Sequence, residues 1–194
     1  SEKKDEIAQR KHKLEEEERL KTAQLKQSRE QLQPLKSNMI DLKIRLDLAR
    51  QRLENMSQQQ IDLLLQSGLN PQPAFKELIE LCCVFMDVIP QYEPFGKRML
   101  YDPQFFDHLK EKVDPQKVDK SMLNKAKAII SESQFSKADF DNISMPCSIL
   151  HDWIDIVYRY SSTSSKIQEE TKAYDQLMLE FDDFTHNVAT EKGQ

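Results

Sequence analysis

The sequence predicts an all-α fold: a long antiparallel coiled-coil hairpin capped by a compact bundle of short helices. Three observations carry this. Only three glycines, Gly68, Gly96 and Gly193, occur in 194 residues, too few for the turns of a sheet-rich chain. Apolar residues alternate three and four apart near both ends, the spacing of a heptad seam that must face another helix. Between those ends, Pro, Asp and Ser recur at intervals that start and stop short helices.

Residues 1–64 form the outgoing helix. Its seam runs Leu32, Leu35, Met39, Leu42, Leu46, Ala49, Leu53 and Met56, then Leu63 after a polar miss at Gln60. Extended backward, the same frame meets Leu25, Leu14 and Ile7 but also Lys21, Glu18, Lys11 and Lys4. Pro34 removes one backbone donor inside the periodic stretch and is expected to bend the helix.

Residues 65–160 form the globular centre. Asn70 with Pro71 or Pro73 opens a helix bearing Phe75, Leu78, Ile79, Cys82, Phe85 and Met86 on one face, and "PQYEPFG" ends it. Asp102 before Pro103, Asp114 before Pro115, Ser136 and Ser144 have the residue types of helix N-caps. The last helix is expected to start near Met145 and to run unbroken into the returning segment, residues 161–194. The returning seam begins just upstream: Val157, Tyr160, Ser164, Ile167, Thr171, Tyr174, Met178 and Phe181, with Thr185 and Val188 beyond. Because that segment is the shorter, roughly the first 25 residues by heptad count lack an intrachain mate; this end is either a weak coil or a frayed overhang, with disorder or crystal contacts expected there. Folding back on itself, the chain is expected to be monomeric.

Charge and motif content narrow the function classes. A net charge of −5 excludes a general nucleic-acid binder, which needs a basic stripe to displace counterions. No stretch nears the ~18 consecutive apolar residues of a membrane span, and the charged N-terminus shows no secretory signal. Cys82, Cys83 and Cys147 are odd in number, and two adjoin in an apolar helix, as suits buried reduced thiols of a cytosolic chain. His12, His108, His151 and His186 lack metal-ligand spacing, so no metal site is expected. There is no phosphate-binding loop, nucleophile elbow or "HExxH". Neither catalysis nor a cofactor is expected in this segment.

Four stretches, in order and at consistent intervals, resemble a known pattern: "LNPQPAFKELIELCCVFM", "MLYDPQFFDHLKE", "SQFSKADFDNIS" and "ILHDWIDIVYRY". Together they are similar to the stalk and microtubule-binding domain of dynein heavy chains, the second stretch resembling axonemal members. The likeness covers about residues 60–175. It implies a segment that projects from an ATP-driven ring and grips tubulin at its tip, with affinity set by sliding one stalk helix along the other by roughly 5 Å, half a heptad. It also implies a cytoplasmic, cytoskeletal location in the axoneme of a cilium or flagellum.

Matched position by position, the resemblance implies that Lys76, Lys125, Lys127 and Arg159 face tubulin, with Lys117 and Lys120 nearby. Lysines suit an acidic track that must be released as well as held, since each exposed pair contributes only about 0–1 kcal/mol. The chain departs from the family at Asp152 and Asp155, beside the tryptophan, where basic residues are common. Pro115 and Gln116 replace a Lys-Asp pair, Glu169 replaces a proline, and Phe95 replaces a tryptophan. Residues 70–165 hold 11 Lys and Arg against 14 Asp and Glu, a net of −3. A rival reading is a structural coiled-coil protein that dimerises through its first helix and docks another protein on its helical centre.

Overall fold

A computed structural model describes residues 1–192, and among them the regular structure is helical throughout, with no strand. Eight α-helices follow one another: α1 Glu2–Glu54, α2 Gln58–Ser67, α3 Pro73–Phe85, α4 Lys97–Leu100, α5 Phe105–Lys112, α6 Lys120–Glu132, α7 Lys137–Asp141 and α8 Met145–Lys192. The chain divides into two compact units. One joins Ser1–Asn38 to the chain from Ser165 onward, and the other is Met39–Ser164.

In the first unit α1 packs against α8. Leu25, Ser28 and Leu32 are buried on α1, and Leu35 is half-buried on the same seam. From α8, Ile167, Tyr174, Met178 and Phe181 are half-buried, and the ammonium of Lys21 lies 5.8 Å from the centre of the Phe184 ring. Thr185, expected on the seam, is exposed, and Phe184 beside it takes the inward position. The N-terminal turns are helical from Glu2 rather than disordered. Their residues through Lys13 are nonetheless exposed, and Ile7 is 67% accessible. Pro34 sits inside α1 without ending it.

The second unit holds the main core. Leu42, Leu46, Ala49 and Leu53 of α1 are buried with Trp153, Ile154 and Val157 of α8 in one apolar cluster; Met39, Met56 and Tyr160 pack on it half-buried. At its centre is α3, whose Phe75, Leu78, Ile79, Cys82 and Cys83 are all 0% exposed. Most of its surface is apolar and must be covered, and α3 packs on α6, on α7 and on the tight turn Tyr92–Gly96, leaving Lys76 exposed and Glu77 and Glu80 half-buried.

Several element ends differ from expectation, each for a local reason. The outgoing helix does not continue to Leu63. It stops at Glu54, and Ser57 opens α2 with a reciprocal capping box in which Ser57 Oγ accepts from the Gln60 amide while Gln60 Oε1 accepts from the Ser57 amide. This resets the phase, so that Leu64 is buried and Leu63 is 44% exposed. Helix α3 begins at Pro73 with Gln72 in the cap position, and Asn70 caps nothing. Asp102 accepts the amide two residues on, closing a turn rather than opening a helix, whereas Asp114 does cap before Pro115, though the element it opens is the 3-10 turn Pro115–Lys117 and not an α-helix. The cap of α6 is Asp119, through the Met122 amide. Ser136 and Ser144 do cap, bonding Asp139 and the Cys147 amide respectively. As expected, α8 begins at Met145 and is unbroken for 48 residues.

Candidate functional site

The six basic residues assigned to tubulin contact all lie on the surface of the second unit. Lys76 is on α3, between buried Phe75 and half-buried Glu77. Lys117 sits in the 3-10 turn Pro115–Lys117, where its ammonium donates to the Glu111 carbonyl at 2.9 Å. Lys120 opens α6, and Lys125 and Lys127 follow on the same helix, flanking Ala126, which is fully buried. Neighbours two apart on a helix point about 200° apart. Lys125 and Lys127 therefore project to opposite flanks of α6 rather than forming one patch. Arg159, on α8, is held by Asp155 at 2.9 Å. Helices α3 and α6 are joined by the Ser133 hydroxyl, which donates to Glu77 at 2.7 Å; burial still pushes the Glu77 carboxyl above its ordinary range.

Arg159 also borders a groove of about 710 Å³ open to solvent. One wall is α1 from Arg45 to Arg52, and the other is α8 from His151 to Arg159. Leu81, Ile130 and Phe135 contribute apolar surface between them. At one end an ion network closes the wall. Asp152 takes Arg52 at 3.1 Å and Lys137 at 3.6 Å, and Lys137 also reaches Asp141 at 3.1 Å. Asp141 further accepts from the Ser148 hydroxyl at 2.6 Å; that bond, with Lys137, holds its carboxyl below the usual range. Asp152 and Asp155, the two departures beside the tryptophan, thus have defined cationic partners.

His151 lies at this network with its ring stacked on Phe140, centroids 4.1 Å apart and planes 12° from parallel. Its Nδ1 makes no hydrogen bond and is 3.9 Å from Asp152. Burial lowers its pKa, with Asp155, Asp152 and Asp141 pulling the other way. The stack and the burial favour a neutral ring, and no hydroxyl or thiol nucleophile is bonded to it. Cys82, Cys83 and Cys147 are free and fully buried, and burial pushes the last two up to about 12. Among the described residues no three metal-ligating side chains gather, and no helix is long and apolar enough to cross a membrane.

The groove was not foreseen from the sequence. Its defining contacts, such as Arg52 to Asp152, join residues 100 positions apart, and no local spacing announces them. The one available hint was the acid pair flanking Trp153, which needed counter-charges from somewhere in the fold.

No protein-family model matches this chain. Comparison with curated proteins likewise gives no match.

Proposed function

We propose that this segment is the microtubule-binding tip and stalk of a dynein-type motor of the axoneme, in which α1 and α8 run antiparallel as a coiled coil and its register sets the affinity for tubulin. The observation that carries the reading is the contrast between the two long segments. Helix α8 is unbroken from Met145 to Lys192, whereas the chain after α1 is interrupted between Glu54 and Gln58 and again between Ser67 and Pro73. A slide of about 5 Å, half a heptad at 1.5 Å per residue, would move Trp153, Ile154 and Val157 as one rigid helix. The interruptions let the other segment stay behind.

Heptad seams permit such a slide because neighbouring registers each bury apolar positions. Lys76, Lys117, Lys120, Lys125, Lys127 and Arg159 are the residues offered to the acidic track, and the four ordered motifs support their assignment. The divergence of Lys125 and Lys127 around α6 implies that at most one of them meets tubulin directly while the other faces a flank.

The test is co-sedimentation of the chain with microtubules, with Lys76→Glu, Lys125→Glu and Lys127→Glu made singly. The reading requires pelleting of the parent chain, salt-sensitive as an exposed ionic contact must be. It also requires Lys76→Glu, and one of the α6 reversals more than the other, to weaken pelleting. A parent chain that stays in the supernatant at low salt removes the proposal. A second arm cross-links α1 to α8 in two neighbouring registers; equal affinities would eliminate register control.

A further inference from the structure

We propose that Arg50 and Arg52 of α1 form a latch on Asp152 and Trp153 of α8 that singles out one register of the two helices in the second unit. The latch rests on the packing of α1 against α8; that it holds tubulin affinity in one state rests on the reading above.

The apolar seam cannot choose a register by itself. Leu42, Leu46, Ala49 and Leu53 are buried in one cluster with Trp153, Ile154 and Val157, and they stand four, three and four residues apart. A slide of three or four residues, about 5 Å, exchanges each of them for its neighbour and keeps apolar atoms in contact. Polar contacts have no such repeat, which is why a single polar position can specify register.

Two such contacts flank the seam. The Arg52 guanidinium meets Asp152 at 3.1 Å, and that of Arg50 lies over the Trp153 ring, 5.3 Å from its centre. Residues two apart on a helix point about 200° apart, so the two arginines hold α8 from either side. Both targets are fixed when α1 moves. Asp152 is also held by Lys137 of α7 at 3.6 Å, and Trp153 is 1% exposed.

Neighbouring registers offer no substitute. Three and four residues from Arg52 stand Ala49 and Leu48 on one side and Asn55 and Met56 on the other; from Arg50 they are Asp47 and Leu46, or Leu53 and Glu54. None is a cation. Asp47 or Glu54 would instead face the electron-rich ring beside Asp152, where a negative charge is repelled. The first unit, taken by itself, follows the same rule. The ammonium of Lys21 lies 5.8 Å from the centre of the Phe184 ring, and three and four residues from it stand Glu18, Glu17, Gln24 and Leu25.

Pulsed electron spin resonance between two nitroxides on the full chain tests the latch. The labels go on Ile40→Cys and Met145→Cys, positions 70% and 60% exposed, while the native thiols are fully buried. Counted from the contact of Arg50 with Trp153, these positions lie about 27 Å apart along the helix axes, so a slide in either direction changes their separation by about 4–5 Å. The labelled parent is expected to show one distance. Arg50→Gln with Arg52→Gln should raise the share of a second, shifted distance about tenfold. Arg50→Lys with Arg52→Lys should resemble the parent, and so should Lys43→Gln, which breaks an exposed pair with Asp47 on the same helix. Each arginine is also replaced singly by glutamine, and circular dichroism checks folding. Two distances already present in the parent overturn the proposal. So does a single unchanged distance in the folded double variant, even one of lower stability, or in both folded single variants. The measurement contains no tubulin: a chain that fails to pellet with microtubules leaves the latch standing, and a failed latch leaves the pelleting result standing.

Discussion

Replacing Gly68 by alanine tests whether the junction after α2 is set by space rather than by backbone freedom. Gly68 has an ordinary right-handed conformation, φ −82° and ψ −11°, so a side chain meets no torsional penalty. A Cβ there would instead fall 2.6 Å from the Tyr101 hydroxyl, 2.7 Å from Leu100 Cδ2 and 3.1 Å from the Tyr92 hydroxyl. Two of these neighbours are fixed: Leu100 is 1% exposed and Tyr92 4%. Both tyrosines are also employed. Tyr92 donates to the Gly68 carbonyl at 2.9 Å, beyond the helix end, and Tyr101 to the Leu65 carbonyl at 2.6 Å, which also accepts the Gly68 amide. Overpacking costs about 1–3 kcal/mol, and each hydroxyl pushed off its carbonyl adds about 0.5–1.5 kcal/mol. Stiffening the unfolded chain returns about 0.4–1 kcal/mol. The net expectation is a loss of about 2 kcal/mol. Trp153 is the sole tryptophan of the chain and is 1% exposed in the second unit, so its fluorescence during urea unfolding reports this unit. The loss should shrink when Gly68→Ala is combined with Tyr101→Phe, which removes the nearest clashing atom, with a coupling of about 0.5 kcal/mol or more. A Gly68→Ala chain as stable as the parent, or more so, refutes the reasoning.

Three further outcomes are expected. Leu46→Ala should cost about 2–5 kcal/mol by leaving a cavity, whereas Ile44→Ala, on the exposed side of α1, should stay within about 0.5 kcal/mol; comparable losses in the Trp153 unfolding assay would contradict the one-sided burial of α1. His151, whose folded pKa lies below its ordinary 6.5, supplies stability that is complete above pH 6.5 and is lost as pH falls toward the lower folded value, because the unfolded chain takes the proton first. The urea midpoint should therefore drop on acidification from pH 7.5 to 5.5, and His151→Gln should flatten that slope; an unchanged slope would assign it to the surrounding acids. The three thiols should resist an aromatic disulfide reagent in the folded chain and react fully in denaturant, as burial and raised pKa values require; rapid labelling at neutral pH would contradict the buried placement.

What was legible in the sequence follows the range of the interactions involved. Heptad spacing is local arithmetic, and it identified Leu32, Leu42, Leu46, Leu53 and Val157, all of them buried. Caps formed with the next three residues were legible where the competing pattern was weak, as at Ser136 and Ser144. At Ser57 the same kind of signal is present in Ser57 and Gln60, but the heptad frame also runs through Met56 and Gln60 and masks it. The structure shows the short one winning. A capping box satisfies two amides at once, and past Leu53 the frame offered only Met56 and a glutamine in return.

Asp152 shows why the groove was beyond reach. Beside Trp153 it stood out only as an acid where a resembling family has a base, which suggested a weakened electrostatic surface and nothing more. In the fold it is the shared counter-ion of Arg52 and Lys137, at 3.1 and 3.6 Å, and so ties α1, α7 and α8 together at one end of the groove. Its charge is spent inward, while the cations it holds remain about half exposed. An acid beside the tryptophan can therefore serve as a structural counter-ion inside the fold rather than as a subtraction from the charge of the surface. Asp152→Asn separates these roles. If the acid's function is to tie the two cations together, the variant loses stability in the Trp153 unfolding assay although the local positive charge rises; if it merely dilutes a basic surface, stability is unchanged.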